Sequence, residues 1–416
     1  MTLLQEVAAA LFGLALVHTF SVKLFEKWAH RYPRHAGIFH LLGEVEVVFG
    51  FWALVLVVAM AAIVDGHAAI EYVESKQYTE PLFVFVVMVV AASRPVLYWV
   101  EAAIQTVARI LPLPTLPMQI WLSLAVVPLL GSLITEPAAM TLAALMLFRP
   151  VFNAPMPEYM KYAALGSLFV NVSIGGTLTS YAAPPVLMVA EAWHWNSAFM
   201  FGEFGWKAAV AVAINASMIT LLLSRHLSAS PADTGQVQRV PVVAGLVHAV
   251  FLAGVVMFAH HPVIFISLFL FFLGYTQAYA QYQSPLILKE GLLVGFFLAG
   301  LVILGGMQQW WLQPVVSGLQ PVALFFGTTA LTAITDNAAL TYLGSLISGM
   351  SDPAKYMLVA GAVTGGGLTV IANAPNPAGV ALLRQGFEDE SIGAMGLLLG
   401  ALPPTLIAAA CFLLLD

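Results

Sequence analysis

Two short stretches write a carboxylate into an apolar run: TEPAAMT at residues 135–141 and TDNAALT at 335–341. An ionised acid in hydrocarbon is costly, rare and functional by default. Glu136 and Asp336 each follow a threonine, Thr135 and Thr335, and Asp336 is followed by Asn337. Carboxylate, hydroxyl and amide oxygens are the ligands that hard cations take. A second pair of stretches aligns without gaps, GGTLTSYAAPP at 175–185 and GGGLTVIANAP at 365–375. Ser173 and Thr179 in the first half, and Thr369, Asn373 and Asn376 in the second, set polar oxygen beside glycines and prolines. Such residues break a helix and free its carbonyls. At membrane depth that is tolerated only where the backbone is buried in protein or lines a cavity.

Two chemistries are open to the acids. Each could cap the helix that follows it, or join neighbouring oxygens around a small cation such as sodium. Ser or Asn would cap without the cost of a charge, and the acid recurs in both halves, which favours the ion site. Asn373 and Asn376 align with Ala183 and Val186, so the second half is the more polar. Sodium is therefore expected at Asp336 with Thr335, Asn337 and Asn373. A weaker or differently used site is expected at Glu136.

The elements that must position these residues follow from composition. Of 416 residues, 61% are hydrophobic and 9% charged, with mean hydropathy +0.92, whereas soluble domains carry about 25% charged residues. The apolar runs are long and continuous, so the expected fold is an all-α polytopic membrane protein and not a barrel. About ten transmembrane helices are predicted, near 4–24, 36–64, 81–108, 158–190, 205–224, 241–259, 262–282, 286–305, 354–384 and 392–415. Two further apolar regions, 119–148 and 320–349, are interrupted midway by the acid motifs. An arm of about 14 residues rises only ~21 Å, short of the ~30 Å hydrocarbon core. Each region therefore reads as a re-entrant hairpin rather than one straight, tilted helix. Pro137 and the Asp336-Asn337 pair are helix-start signals lying mid-segment. Segments 158–190 and 354–384 read as broken helices, and paired interruptions in two halves point to a transporter's binding site. Residues 1–224 and 241–416 then form two repeats of five crossings and a hairpin, joined by a cytoplasmic linker at 225–240. Five is odd, so the second repeat is inverted.

Basic residues set the orientation. With the N-terminus outside, Lys23, Arg31, Arg34, Arg109, Arg149 and Arg225 fall at cytoplasmic ends, and Lys76, Lys207 and Lys355 fall outside. Both termini are thus expected outside a bacterial-type inner membrane. The first apolar segment has Glu6 before it and Lys23 after it, unlike a cleaved signal, and is expected as a retained helix. Glu44, Glu46, Arg94 and Glu101 remain inside the membrane. Arg94 could neutralise Glu44 or Glu46, or the group could pass protons. His18, His40 and His248 each stand alone and read as buried, satisfied histidines. A net charge of −6 without a basic cluster gives no nucleic-acid partner. Cys411 is the only cysteine, so no disulfide framework or cysteine zinc site is expected. No HExxH, GxSxG or phosphate-loop motif occurs. Neither an enzyme, nor a nucleotide-driven pump, nor a cofactor is expected.

The TDNAALT tip and the GGGLTVIANAPNPAG break, with their first-half counterparts, resemble the ion-transporter superfamily. Within it the chain resembles a family of sodium/proton antiporters with an Asp-Asn at the hairpin. The resemblance covers nearly the whole chain, and Glu136-Pro137 departs from the acid-Asn pattern. It implies a scaffold domain, a moving transport domain of hairpins and broken helices, elevator-like alternation and a homodimer in the bilayer. It also implies exchange by competition. A carboxylate with little water around it is open to a proton or to sodium, and each displaces the other on opposite sides. The alternative is a sodium-coupled symporter, or an exporter, of a small carboxylate or oxyanion, which would need neutral or basic partners at its site.

Overall fold

The computed structural model describes residues 3–110, 112–227 and 239–415. Most of the expected linker at 225–240 therefore lies outside the described residues. Among the described residues every regular element is a helix, as expected where backbone groups have no water to bond and must pair within their own segment. Four helices are long and apolar enough to cross a membrane: Glu46–Ile63, Ser197–Ser224, Leu288–Gly305 and Ala394–Leu414. Two bent pairs would bring that to six if each is one broken span rather than a re-entrant loop: Thr79–Ala91 with Arg94–Ile110, at 62°, and Thr115–Leu124 with Val126–Ile134, at 40°. Shorter apolar helices, among them Val242–Met257 and Pro262–Ala278, stand beside them.

Two expected spans are built differently. The segment 36–64 divides into Ala36–Leu42 and Val45–Ile63, parted at Gly43 and Glu44. The segment 81–108 bends at Ala92 and Ser93, where the Ser93 hydroxyl donates to the Val90 carbonyl at 2.7 Å and Pro95 follows without an N–H. The acid-bearing segments are interrupted too. Val126–Ile134 ends at Thr135 and Glu136–Leu147 begins, while Pro321–Thr332 ends before the Asp336 cap of Asn337–Ser345. The glycine–proline stretches part Glu158–Gly175 from Pro184–Ala190, and Asp352–Gly365 from Asn376–Leu383.

The buried side chains gather into two large cores. One takes Leu3–Phe20, Val45–Ile63, Thr79–Ala91, Val242–Met257, Pro262–Ala278 and Leu288–Gly305. The other takes both helices around Glu136, Glu158–Gly175, Trp206–Ser224, Asp352–Gly365 and Ala394–Leu414. Each half of the chain thus gives its early helices to one core and its later helices to the other. Two short helices lie on the boundary. Val186 and Val189 of Pro184–Ala190 enter one core while Leu187 and Met188 enter the other. Asn337–Ser345 packs on that helix and turns Ala338, Ala339 and Leu343 toward the first-named core. Close packing inside that core needs glycine: a Cβ on Gly300 would strike the backbone of Gly50 on the crossing helix.

Candidate functional site: a buried oxygen cluster

Local sequence explains why the chain opens at each acid. Thr135 sits at φ 75°, ψ 152°, a backbone region almost confined to glycine. The helix before it cannot continue through that residue, and Pro137 fits the first turn of the next because its missing N–H would have had no partner there. Asp336 stops its segment differently. Its Oδ1 accepts from the Ala338 and Ala339 amides at 2.8 and 3.2 Å, satisfying orphan donors of the following helix. Asp336 therefore caps, and one carboxylate oxygen remains outside that role.

Glu136 is fully buried, and its Oε2 accepts from the Asn373 amide at 2.9 Å. The bond joins residues from opposite halves. Its Oε1 has no partner and lies so close to Gly176 that a Cβ there would collide with it. Ser173, also fully buried, donates to the Val363 carbonyl at 2.7 Å and accepts a long bond of 3.4 Å from the Asn337 amide. Asn376 donates to the Gly366 and Thr369 carbonyls at 2.8 and 2.9 Å. A Cβ on Gly366 would collide with Ser173 Oγ and approach Asn337 Nδ2. The residues expected at two tips and two breaks therefore form one connected cluster. Asp336 lies near enough to Glu136 for their charges to act on each other, and Glu46 acts on Asp336.

The two aligned threonines do the same work in both halves. Thr179 donates to the Ser132 carbonyl at 2.7 Å and Thr369 to the Ala333 carbonyl at 2.8 Å. Each ties a broken stretch to the last turn before an acid. Thr335 is placed less centrally, because its hydroxyl donates to Leu331 one turn back at an exposed position. Thr135 Oγ1, Glu136 Oε1 and the side-chain oxygens of Asn337, Asn373 and Asn376 are buried without a partner.

Some residues that tie these elements together escaped the sequence reading. Ser132 donates to the Gly175 carbonyl at 2.7 Å and accepts from the Leu178 amide at 2.9 Å, locking the first break against the first tip. Asn171 donates to the Leu124 carbonyl at 2.8 Å and accepts from Asn215 at 2.9 Å, and Asn215 also donates to the Pro404 carbonyl at 3.4 Å, so four helices meet on two amides. The signal available was an asparagine in each of two apolar runs, which favours interhelical bonding. Glu44 is paired with Lys289, at 3.2 Å. The break at Gly43 puts Glu44 at a helix start, beside the start of Leu288–Gly305. His18 and His248 are buried with ring nitrogens bonded, to Leu42 and Trp52 and to Ala244 and Gln283, whereas His40 is exposed.

No individually curated protein matches the chain. A family model described as "Putative Na+/H+ antiporter" matches residues 3–415, nearly the whole length. With that coverage, and with helices and a polar interior of the kind just described, the chain belongs to this antiporter family.

Proposed function

We propose that the protein exchanges sodium for protons across a membrane, the two competing for Glu136 and Asp336. The observation that carries this reading is the set of buried, unpartnered oxygens on Thr135, Glu136, Asn337, Asn373 and Asn376. Buried polar atoms cost free energy unless something bonds to them. Hydroxyl, carboxylate and amide oxygens suit a desolvated sodium ion, and they disfavour an anionic cargo. That is the ground for preferring antiport to a carboxylate or oxyanion symporter. A sodium ion that displaces a proton from each of the two carboxyls would move one net charge per cycle and make the exchange electrogenic.

The two cores fit an elevator. The core holding Glu136 and the broken helices is the moving body, and the other is the scaffold. The Glu136–Leu147 helix has 12 residues and Asn337–Ser345 has 9. At 1.5 Å per residue they reach ~18 and ~14 Å, short of the ~30 Å core. Val126–Ile134 and Glu136–Leu147 also pack against each other, with Gly131 against Ala139. These features favour re-entrant hairpins. Two inverted repeats of five crossings are favoured by which helix ends meet. Lys289 reaches Glu44, and Lys161 donates to the Gly386 carbonyl at 2.7 Å, all four on one face by the alternation of crossings. Tyr72 donates to the Ile303 carbonyl at 2.6 Å and Lys207 to the Tyr356 hydroxyl at 3.2 Å, all four on the other.

Proteoliposomes carrying an internal pH dye test the proposal. A sodium pulse outside should raise internal pH, and a potassium–valinomycin shunt should speed the response by relieving the opposing potential. Asp336→Asn should insert, elute as one species and lose the signal. Sodium-dependent proton flux that persists in this variant removes Asp336 from the mechanism.

A further inference from the structure

Between Leu3–Phe20 and Val45–Ile63 the chain makes an excursion. The two flanking helices have 18 and 19 residues. At 1.5 Å per residue they rise ~27 and ~28 Å, and so nearly fill the ~30 Å hydrocarbon core by themselves. Residues 21–43 are left for the membrane's edge. They form Val22–Arg31, a turn at Pro33–His35 and Ala36–Leu42. The excursion leaves and returns at one place. The rings of His18 and Phe25 touch at 4.6 Å, although seven residues of straight helix rise ~10 Å, so the chain bends near Ser21. At the far end, His18 Nε2 donates to the Leu42 carbonyl at 2.9 Å.

The hairpin closes on its own aromatic residues, Phe25 on Trp28, and Trp28 and Tyr32 on Phe39. Among the described residues, none from 21 to 43 enters either large core. Its first helix reads VKLFEKWAHR, and at helical spacing Phe25, Trp28 and Ala29 fall on one side, Lys27, His30 and Arg31 on the other. Burial follows that division: Ala29 is buried and Phe25 and Trp28 half-buried, while Lys27, His30 and Arg31 are exposed. Ile38 and Leu41, three apart on the second helix, are 57% and 48% exposed, so the aromatic cluster leaves apolar surface uncovered. Charge is just as uneven. Residues 21–43 hold four of the chain's fifteen lysines and arginines, Lys23, Lys27, Arg31 and Arg34, with Glu26 as their one acid, in a protein of net charge −6. A basic face opposite aromatic and aliphatic residues is the make-up of a helix that lies in the membrane interface. Lysine and arginine there attract anionic headgroups.

We propose that residues 21–43 form a docking surface for anionic phospholipids, with Ile38 and Leu41 set into the acyl boundary and Lys27, Arg31 and Arg34 on the headgroup phosphates. A second copy of the chain would bring the same positive charge to this place, so two hairpins repel where an anionic leaflet attracts. The surface does not depend on what the protein transports.

The full-length protein tests this with one fluorophore at Ile38→Cys, the native Cys411 being buried. The vesicles hold phosphatidylcholine and phosphatidylglycerol in equal parts, with one of the two brominated at a time. Either brominated lipid should quench the label. Brominated phosphatidylglycerol should quench as though at least about fivefold enriched, the contribution of one lysine or arginine near an anionic surface. Lys27→Gln, Arg31→Gln and Arg34→Gln together should abolish that preference while quenching itself remains. Molar salt, which screens charges beyond ~3 Å, should abolish it with the basic side chains intact, whether or not the triple variant folds. A label that neither lipid quenches overturns the proposal, and its cross-linking to a second copy would then name the occupant. Equal quenching by the two lipids at low salt overturns it as well.

Discussion

Thr135 carries a β-branched side chain at φ 75°, ψ 152°, with its hydroxyl buried and unpartnered. A residue held there costs roughly 1–3 kcal/mol, and such strain clusters at functional sites. Glycine at this position removes the strain, while alanine keeps most of it and loses the hydroxyl. Thr135→Gly should therefore be more stable than Thr135→Ala by about 1 kcal/mol or more, read as the difference in thermal unfolding of the purified proteins in detergent. Both should lose affinity for sodium if the hydroxyl is a ligand. A Gly variant no more stable than the Ala variant would mean that the backbone is not strained.

Between residue and molecule stand the broken helices, and their threonines hold them. Thr179 and Thr369 each bond a carbonyl in the turn before an acid. Valine has the same shape without the hydroxyl, so Thr369→Val leaves the Ala333 carbonyl without that donor at a cost of roughly 1–3 kcal/mol. Exchange should fall while sodium binding, measured by calorimetry, weakens in step; Thr179→Val should do the same through the first tip. Full activity in both variants would show that the breaks are held by packing alone. The breaks themselves were legible, because Gly-Gly, Pro-Pro and Asn-Pro leave a helix few ways to continue. The bend at Ser93 was less so, since one proline near a helix start is compatible with a straight span. The register of the cluster was not legible at all. Glu136, read as the lesser of two sites, is the acid that Asn373 reaches, and the pairing of residues 237 apart depends on packing that no local pattern encodes. Ser132 was hidden for the same reason. A serine in an apolar run has many unremarkable uses.

At the scale of the whole molecule, the prediction concerns which parts travel together. A covalent link between Thr79–Ala91 and Glu136–Leu147, which touch but belong largely to different cores, should stop exchange. A link between Val45–Ile63 and Leu288–Gly305, which share a core, should leave most of it. Paired cysteines and a bifunctional reagent test this in vesicles, where Cys411 is buried and does not compete. Equal loss from both links would argue against one body sliding on another. The bonds that join Glu136 to Asn373 and Ser173 to Val363 and Asn337 carry one more implication. A chain stopped after residue 224 would bring an acid into the bilayer with neither its amide donor nor the neighbours that enclose it. Such a fragment is fit for degradation rather than for persistence in the membrane, and the same holds for any chain that stops before Asn373.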